Sequence, residues 1–233
     1  MQQREAQAKL NQERREAARQ QAEFERTARV AEAQRVSRER QQAAITAEQK
    51  RQAEFRQRME EQRARAERDQ RLYRDRRYYS RLHQDYLDRM YRQQNQWRSN
   101  YNYYNDPYYY TPSHYRYYRD GRYYTTNSYG AKLLRQAVNA GYREGYNAGR
   151  ADRLDHWRYD YKNSFAYGYG SFGYNGRYVS YDEYRYYFRQ GFQRGYRDGY
   201  YRSYQYGGYD NDNGDFNIWA SVLQQILSFS YYR

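Results

Sequence analysis

The chain has 233 residues, 37 of them tyrosine, with few Leu, Ile or Val, no cysteine and a formal net charge of +14. Buried phenols need hydrogen-bond partners, so a large aliphatic core is excluded and a small tyrosine-walled one remains. The missing cysteine removes disulfides, thiolate nucleophiles and thiolate metal sites. The positive excess favours nucleic acid, acidic polysaccharide or anionic lipid as a partner, or serves only to keep a tyrosine-rich chain in solution.

Tyrosine is absent before Tyr73, and residues 1–71 are mostly Gln, Arg, Glu and Ala with neither Gly nor Pro. These are strong helix formers. Acid-before-base pairs at i,i+4 (Glu5–Lys9, Glu25–Arg29, Glu54–Arg58, Glu61–Arg65, Glu67–Arg71) support one helix. A seven-residue comb picks out Leu10, Ala17, Phe24, Ala31, Ile45, Met59, Ala66, Tyr73 and Leu87, but also Arg38, Gln52 and Ser80. The companion positions are mostly polar, as at Glu13, Gln20 and Thr27, so half of a coiled-coil seam is missing. Residues 1–98 therefore read as a long charged helix, a mostly solvated rod or a weak coiled coil. Toward its end, Leu82, Tyr86, Leu87, Met90 and Tyr91 form a stripe that could dock on the C-terminal part. Residues 99–114 hold both prolines, Pro107 and Pro112, and read as a Tyr/Asn/Pro linker, partly disordered.

Residues 115–203 predict a duplicated module. Asp120-Gly121 and Asn175-Gly176 sit between aromatic runs and signal two-residue hairpin turns. Each is followed by a helix striped with glycine: Gly141, Gly145 and Gly149, then Gly191, Gly195 and Gly199 at a shift of 50. A four-residue step keeps each set on one helical face. Helix-interior glycine is unfavourable by about 1 kcal/mol relative to alanine. Close approach of two backbones, over 131–158 and 181–203, offers the offsetting gain, and an antiparallel pair is expected. Tyr142, Tyr146, Phe192 and Tyr196 are the aromatics assigned to that packing. Ser180 and Glu183 form a capping box, Asn127 or Ser128 caps the earlier helix, and Arg135 matches Arg185 under the same shift. Residues 204–214 read as a mobile loop. Residues 215–230 read as an amphipathic helix with Leu223, Ile226 and Leu227 as its aliphatic anchor. The fold class is mainly α.

The runs Ala140-Gly141-Tyr142-Arg143-Glu144-Gly145-Tyr146 and Phe188-Arg189-Gln190-Gly191-Phe192-Gln193-Arg194-Gly195-Tyr196 resemble Gly-Tyr repeats of uncharacterised bacterial proteins. The Gln/Arg/Glu segment resembles trichohyalin-type rods in composition. Neither resemblance implies a function.

Chemistry-bearing patterns are weak. His83, His114 and His156 are isolated, and only His156 has carboxylates nearby, Asp152 and Asp155, which read as a surface salt link. The pairs Asp152/Asp155 and Asp210/Asp212 show no apolar surroundings to raise a pKa. The run Asp210 to Asp215 mimics the start of a calcium loop without its closing Glu and reads as a turn. There is no phosphate-binding loop and no nucleophile elbow. An enzyme, a cofactor, a metal site and a small-molecule substrate are not expected.

Arginine interleaved with tyrosine around Arg116, Arg119 and Arg122 suits an anionic polymer or self-association. The expected function is a non-enzymatic structural or interaction protein with a self-association or scaffold role. The rivals are RNA or single-stranded nucleic-acid binding, and an exported cell-envelope protein on anionic polymer or lipid. No apolar run is long enough for a membrane span. The start Met1-Gln2-Gln3-Arg4-Glu5 is not a signal peptide, so the location reads as cell envelope if a signal has been removed and cytoplasmic otherwise.

Overall fold

The computed structural model describes residues 2–96, 102–210 and 214–231. The chain divides into two units, Met1–Ala47 and Glu48–Arg233. It is mainly α. Helix α1 (Gln2–Asp69) is followed by α2 (Arg77–Gln96), a hairpin of β1 (Tyr115–Arg119) and β2 (Arg122–Thr126), and α3 (Ser128–Leu154). Then come α4 (Phe165–Tyr169), α5 (Tyr181–Tyr201), β3 (Gly207–Asp210), β4 (Asp215–Ile218), α6 (Ala220–Leu227) and β5 (Ser230–Tyr231).

In the first unit, α1 is continuous from Gln2 and Phe24 on the expected comb is 73% exposed. In the second unit one face of the same helix is covered while the rest stays exposed. Glu48, Gln52, Phe55, Met59 and Ala66 are buried along one stripe. Phe55 packs edge-on against Tyr174, with ring centroids 4.6 Å apart. The polar residues of that face are satisfied by facing groups of the second unit, Gln52 Oε1 accepting from Tyr103 Oη (2.5 Å). Tyr178 N donates to Glu48 Oε1 (3.0 Å), Gln62 Nε2 to Tyr181 Oη (3.1 Å), and Ser171 Oγ to Gln62 Oε1 (3.0 Å). A seam that reads as half polar in sequence is therefore a complete interface, because the facing wall consists of phenols and backbone.

The helix expected over 1–98 is broken. A 3-10 turn spans Gln70–Tyr73, and α2 restarts at Arg77. No glycine or proline marks this break. Its cause lies elsewhere in the chain: Tyr78 N and Tyr79 N donate to the Asp155 carboxylate at 2.9 and 2.8 Å, which caps α2 from the end of α3. Of the expected linker, residues 102–114 are folded rather than disordered. They form 3-10 turns at Tyr103–Asn105 and Pro107–Tyr110, pinned by Tyr108 Oη donating to Tyr178 O (2.7 Å). Residues 99–101 of that linker lie outside the described residues.

The β1–β2 hairpin turns through Asp120 and Gly121, both at positive φ (49° and 81°), as a two-residue primed turn requires. The Asn175-Gly176 segment departs from the expected second hairpin, since no strand forms over 172–179. Asn175 Oδ1 accepts from Arg177 N (3.0 Å), Glu48 takes the Tyr178 amide, and Tyr174 Oη donates to Val179 O (2.6 Å). The groups a strand ladder would use are already engaged.

Helices α3 and α5 form the centre of the second unit. Asn127 caps α3, accepting from Tyr129 N and Gly130 N, and the Ser180/Glu183 capping box starts α5. They run parallel, not antiparallel. Gly141 faces Phe188 to Phe192, Gly145 faces Phe192 to Tyr196, and Gly149 faces Tyr196 to Tyr200, so both helices advance together. The connection over 155–180, with a 3-10 turn at Tyr161–Asn163 and α4, returns the chain to the starting end.

Beyond α5, the expected mobile loop 204–214 contains β3, which pairs antiparallel with β4, Tyr209 opposite Phe216. Residues 211–213, within the calcium-loop resemblance, lie outside the described residues. The last helix starts at Ala220 rather than 215, because Phe216 is held in β4 with its ring stacked 3.8 Å from that of Tyr146. It ends at Leu227, and β5 joins the hairpin to give the order β2-β1-β5.

Candidate interaction surface

The six glycines occupy reciprocal positions. A Cβ on Gly141 would collide with the Phe188 carbonyl (2.7 Å from its carbon) and lie 3.0 Å from Phe192 N. On Gly191 it would meet Val138 C and Tyr142 N, both at 2.9 Å. Gly145 and Gly195 block one another in the same way against Phe192, Tyr196 and Tyr142, as do Gly149 and Gly199 against Tyr196, Tyr200, Tyr146 and Arg150. The obstructing atoms are backbone, which cannot rotate away.

The assigned aromatics flank this contact. Tyr142, Phe192 and Tyr196 are fully buried and Tyr146 is 7% exposed. Rings of Phe188, Phe192, Tyr196 and Tyr200 stack along α5 at 6.1–6.2 Å. Tyr142 Oη donates to Asp198 Oδ2 (2.9 Å), and Tyr196 Oη donates to Asp152 Oδ2. In each case a phenol on one helix reaches a carboxylate on the other. Burial, then the adjoining carboxylate, holds both phenols protonated well above the usual range. Burial likewise pushes Tyr146 up to about 12.

Asp152 corrects the sequence reading. It is 2% exposed, and burial raises its carboxyl pKa against the opposing pull of Tyr196 and Arg76. Arg76 pairs with it while its guanidinium lies 3.8 Å from the Tyr79 ring centroid and 4.7 Å from that of Trp157. The Asp152 carboxylate is fully engaged and Asp155 caps α2, so the expected surface link to His156 is not made. His156 stands exposed.

His83, an isolated residue in the sequence, is fully buried between Tyr73 (5.0 Å) and Phe165 (4.4 Å), with neither ring nitrogen hydrogen-bonded. Burial lowers its pKa to about 4. Glu144, 2% exposed on α3, takes a bidentate pair from Arg89 at 2.6 and 2.8 Å. Helical spacing from the docking stripe on α2 could have signalled His83; nothing local signals the partner of Arg89. Among the described residues no group of three or more His, Cys, Asp or Glu converges on one point.

The three anion-binding candidates do not share a face. The hairpin register sets Tyr118 opposite Tyr123 and Arg116 opposite Thr125 on one face, and Tyr117 opposite Tyr124 and Arg119 opposite Arg122 on the other. Arg116 lies 3.7 Å from the Tyr123 ring centroid, on the open side where Tyr118 and Tyr123 are 54% and 62% exposed. Arg119 turns inward over Tyr124 (4.9 Å) and Tyr186 (5.7 Å), with Asp120 at 3.4 Å. Arg122 is exposed at the turn. The open side is thus an arginine-braced tyrosine pair, and β2 is one of the two outer strands of its sheet among the described residues.

Comparison with protein-family models, curated proteins and solved structures gives no match for this chain. Among the described residues no helix is long and apolar enough to cross a membrane.

Proposed function

We propose that this is a non-enzymatic structural and interaction protein that self-associates through the open side of its hairpin. The supporting observation is the pairing of Tyr118 and Tyr123, ring centroids 5.0 Å apart and both exposed, beside an outer strand. An outer strand offers unpaired backbone donors and acceptors to a second copy. Exposed tyrosine brings large contact area with little side-chain entropy to lose. The α3–α5 contact supplies a rigid base, and α1 acts as a charged spacer.

Sedimentation velocity across a concentration series tests this reading. Concentration-dependent association is expected for the full chain, and Tyr118→Ser with Tyr123→Ser should abolish it without lowering Tm. A chain that stays monomeric at every concentration ends this reading.

Arg116 over Tyr123 also supports binding of an anionic polymer, since a base or sugar ring could stack on the tyrosines while the guanidinium meets phosphate or sulfate. Retention of RNA, single-stranded DNA or heparin should then fall steeply with salt, and Arg116→Gln should weaken it more than Arg119→Gln.

A further inference from the structure

Helix α6 carries the most aliphatic stretch of the chain, yet of its apolar side chains only Leu227 is buried; Val222, Leu223 and Ile226 are half-buried. The geometry beyond the helix explains this. Ser228 adopts a left-handed conformation (φ 45°), and the chain turns back so that Ser230 and Tyr231 pair with Arg116 and Tyr115 of β1. The returning strand closes one side of a cavity of about 360 Å³. Leu223, Leu227, Phe229 and Tyr115 supply apolar wall, Gln224 lies at its edge, and Arg135 of α3 is the one charged residue of its lining.

Arg135 is unlike other half-buried arginines of α3. Arg143 donates to Asp215 (2.6 Å), and Arg153 donates to Gly199 O (3.3 Å). The Arg135 guanidinium lies over the rings of Phe229 (5.2 Å) and Tyr115 (5.8 Å), and among the described residues it has neither a hydrogen bond nor an ion pair. A guanidinium has five N–H donors in a fork that matches a carboxylate. The two rings lie beneath the guanidinium but accept none of those hydrogen bonds in full strength. A half-desolvated cation at an apolar cavity selects an anionic head joined to an apolar tail. The volume lies at the small end of ligand cavities, which admits one short tail and excludes a two-chain lipid.

We infer that this cavity binds an amphipathic monoanion, a medium-chain aliphatic or arylalkyl carboxylate, with its carboxylate on Arg135 and its tail along Leu223 and Leu227. The site is separate from the open side of the hairpin and independent of the self-association reading.

The probes are octanoate and octanol, titrated calorimetrically into the full chain. Saturable one-to-one binding of octanoate is expected, with octanol bound at least tenfold more weakly. Arg135→Gln should lower octanoate affinity at least tenfold and leave octanol affinity unchanged, and Leu223→Asp should lower both. Near-ultraviolet circular dichroism reports whether each variant retains its fold. Should Arg135→Gln unfold the chain, Leu223→Asp and the acid-to-alcohol difference in the unmodified protein carry the test. Absence of saturable octanoate binding, or equal affinity for acid and alcohol, overturns the inference.

Discussion

Residues 2–47 and the α3–α5 pair are both helical, for opposite reasons. The first stretch contains no glycine or proline and is dense in Gln, Arg, Glu and Ala, so its helix is favoured residue by residue. The second contains six interior glycines, each unfavourable by about 1 kcal/mol, and is helical because its backbones touch. Local preference makes a helix tolerant of change at nearly every surface position. Tertiary contact makes one that fails at a single atom.

The largest expected effect follows from that atom. In Gly195→Ala the new Cβ would lie 2.7 Å from Tyr142 C and 2.9 Å from Tyr142 Cα, both backbone, so the helices must separate. A loss above about 4 kcal/mol in urea unfolding is expected, in the range reserved for disrupted cores. Gly168→Ala in α4 is the control. Nothing lies within 4 Å of its Cβ position, and a change within about 1 kcal/mol, toward stability, is expected. Equal effects at both glycines would break the comparison.

Next is Arg76→Met, which leaves Asp152 buried without its cation. A destabilisation of about 3–5 kcal/mol is expected. A double-mutant cycle with Asp152→Asn should return a coupling energy of about 1–3 kcal/mol, and additivity would mean the pair contributes nothing jointly.

His83 then sets a pH response. The fold keeps it neutral down to about pH 4, whereas the unfolded chain takes up the proton near its ordinary value of 6.5. The unfolded state binds more protons between these values, so stability is complete above pH 6.5 and falls as the pH falls toward 4, by up to about 3 kcal/mol. His83→Phe should flatten that slope, read from urea midpoints across the window. An unchanged slope would remove His83 as its cause.

The smallest effect returns to α1. Phe24→Ser, at a position 73% exposed, should shift stability by less than about 0.5 kcal/mol. Phe55→Ala, 2% exposed on the same helix, should be destabilising by about 3 kcal/mol or more. These two phenylalanines sharpen the comparison within a single element, because only the second has Tyr174 to pack against.

Much of the local structure is legible in the residues. Asn127, the Ser180/Glu183 box and Asp120-Gly121 act on backbone groups within three residues of themselves, and the structure uses all of them. Asn175-Gly176 carries a comparable signal and loses, because Glu48, 130 positions away, takes the Tyr178 amide. The open side of the hairpin follows from strand alternation, yet the division of Arg116 from Arg119 and Arg122 needed the register. The cavity beneath α6 had no local signal, since its walls come from β1, α3, α6 and β5.

Composition, helical propensity, caps and the glycine spacing determined that this chain is mainly helical and that two of its helices present bare tracks, because those properties act between near neighbours. The parallel sense of α3 and α5, the break before α2, the burial of His83 and the placement of Arg135 over Phe229 and Tyr115 were decided by tertiary structure alone. Each depends on which distant group arrives to supply or withhold a partner, and no spacing along the chain encodes that arrival.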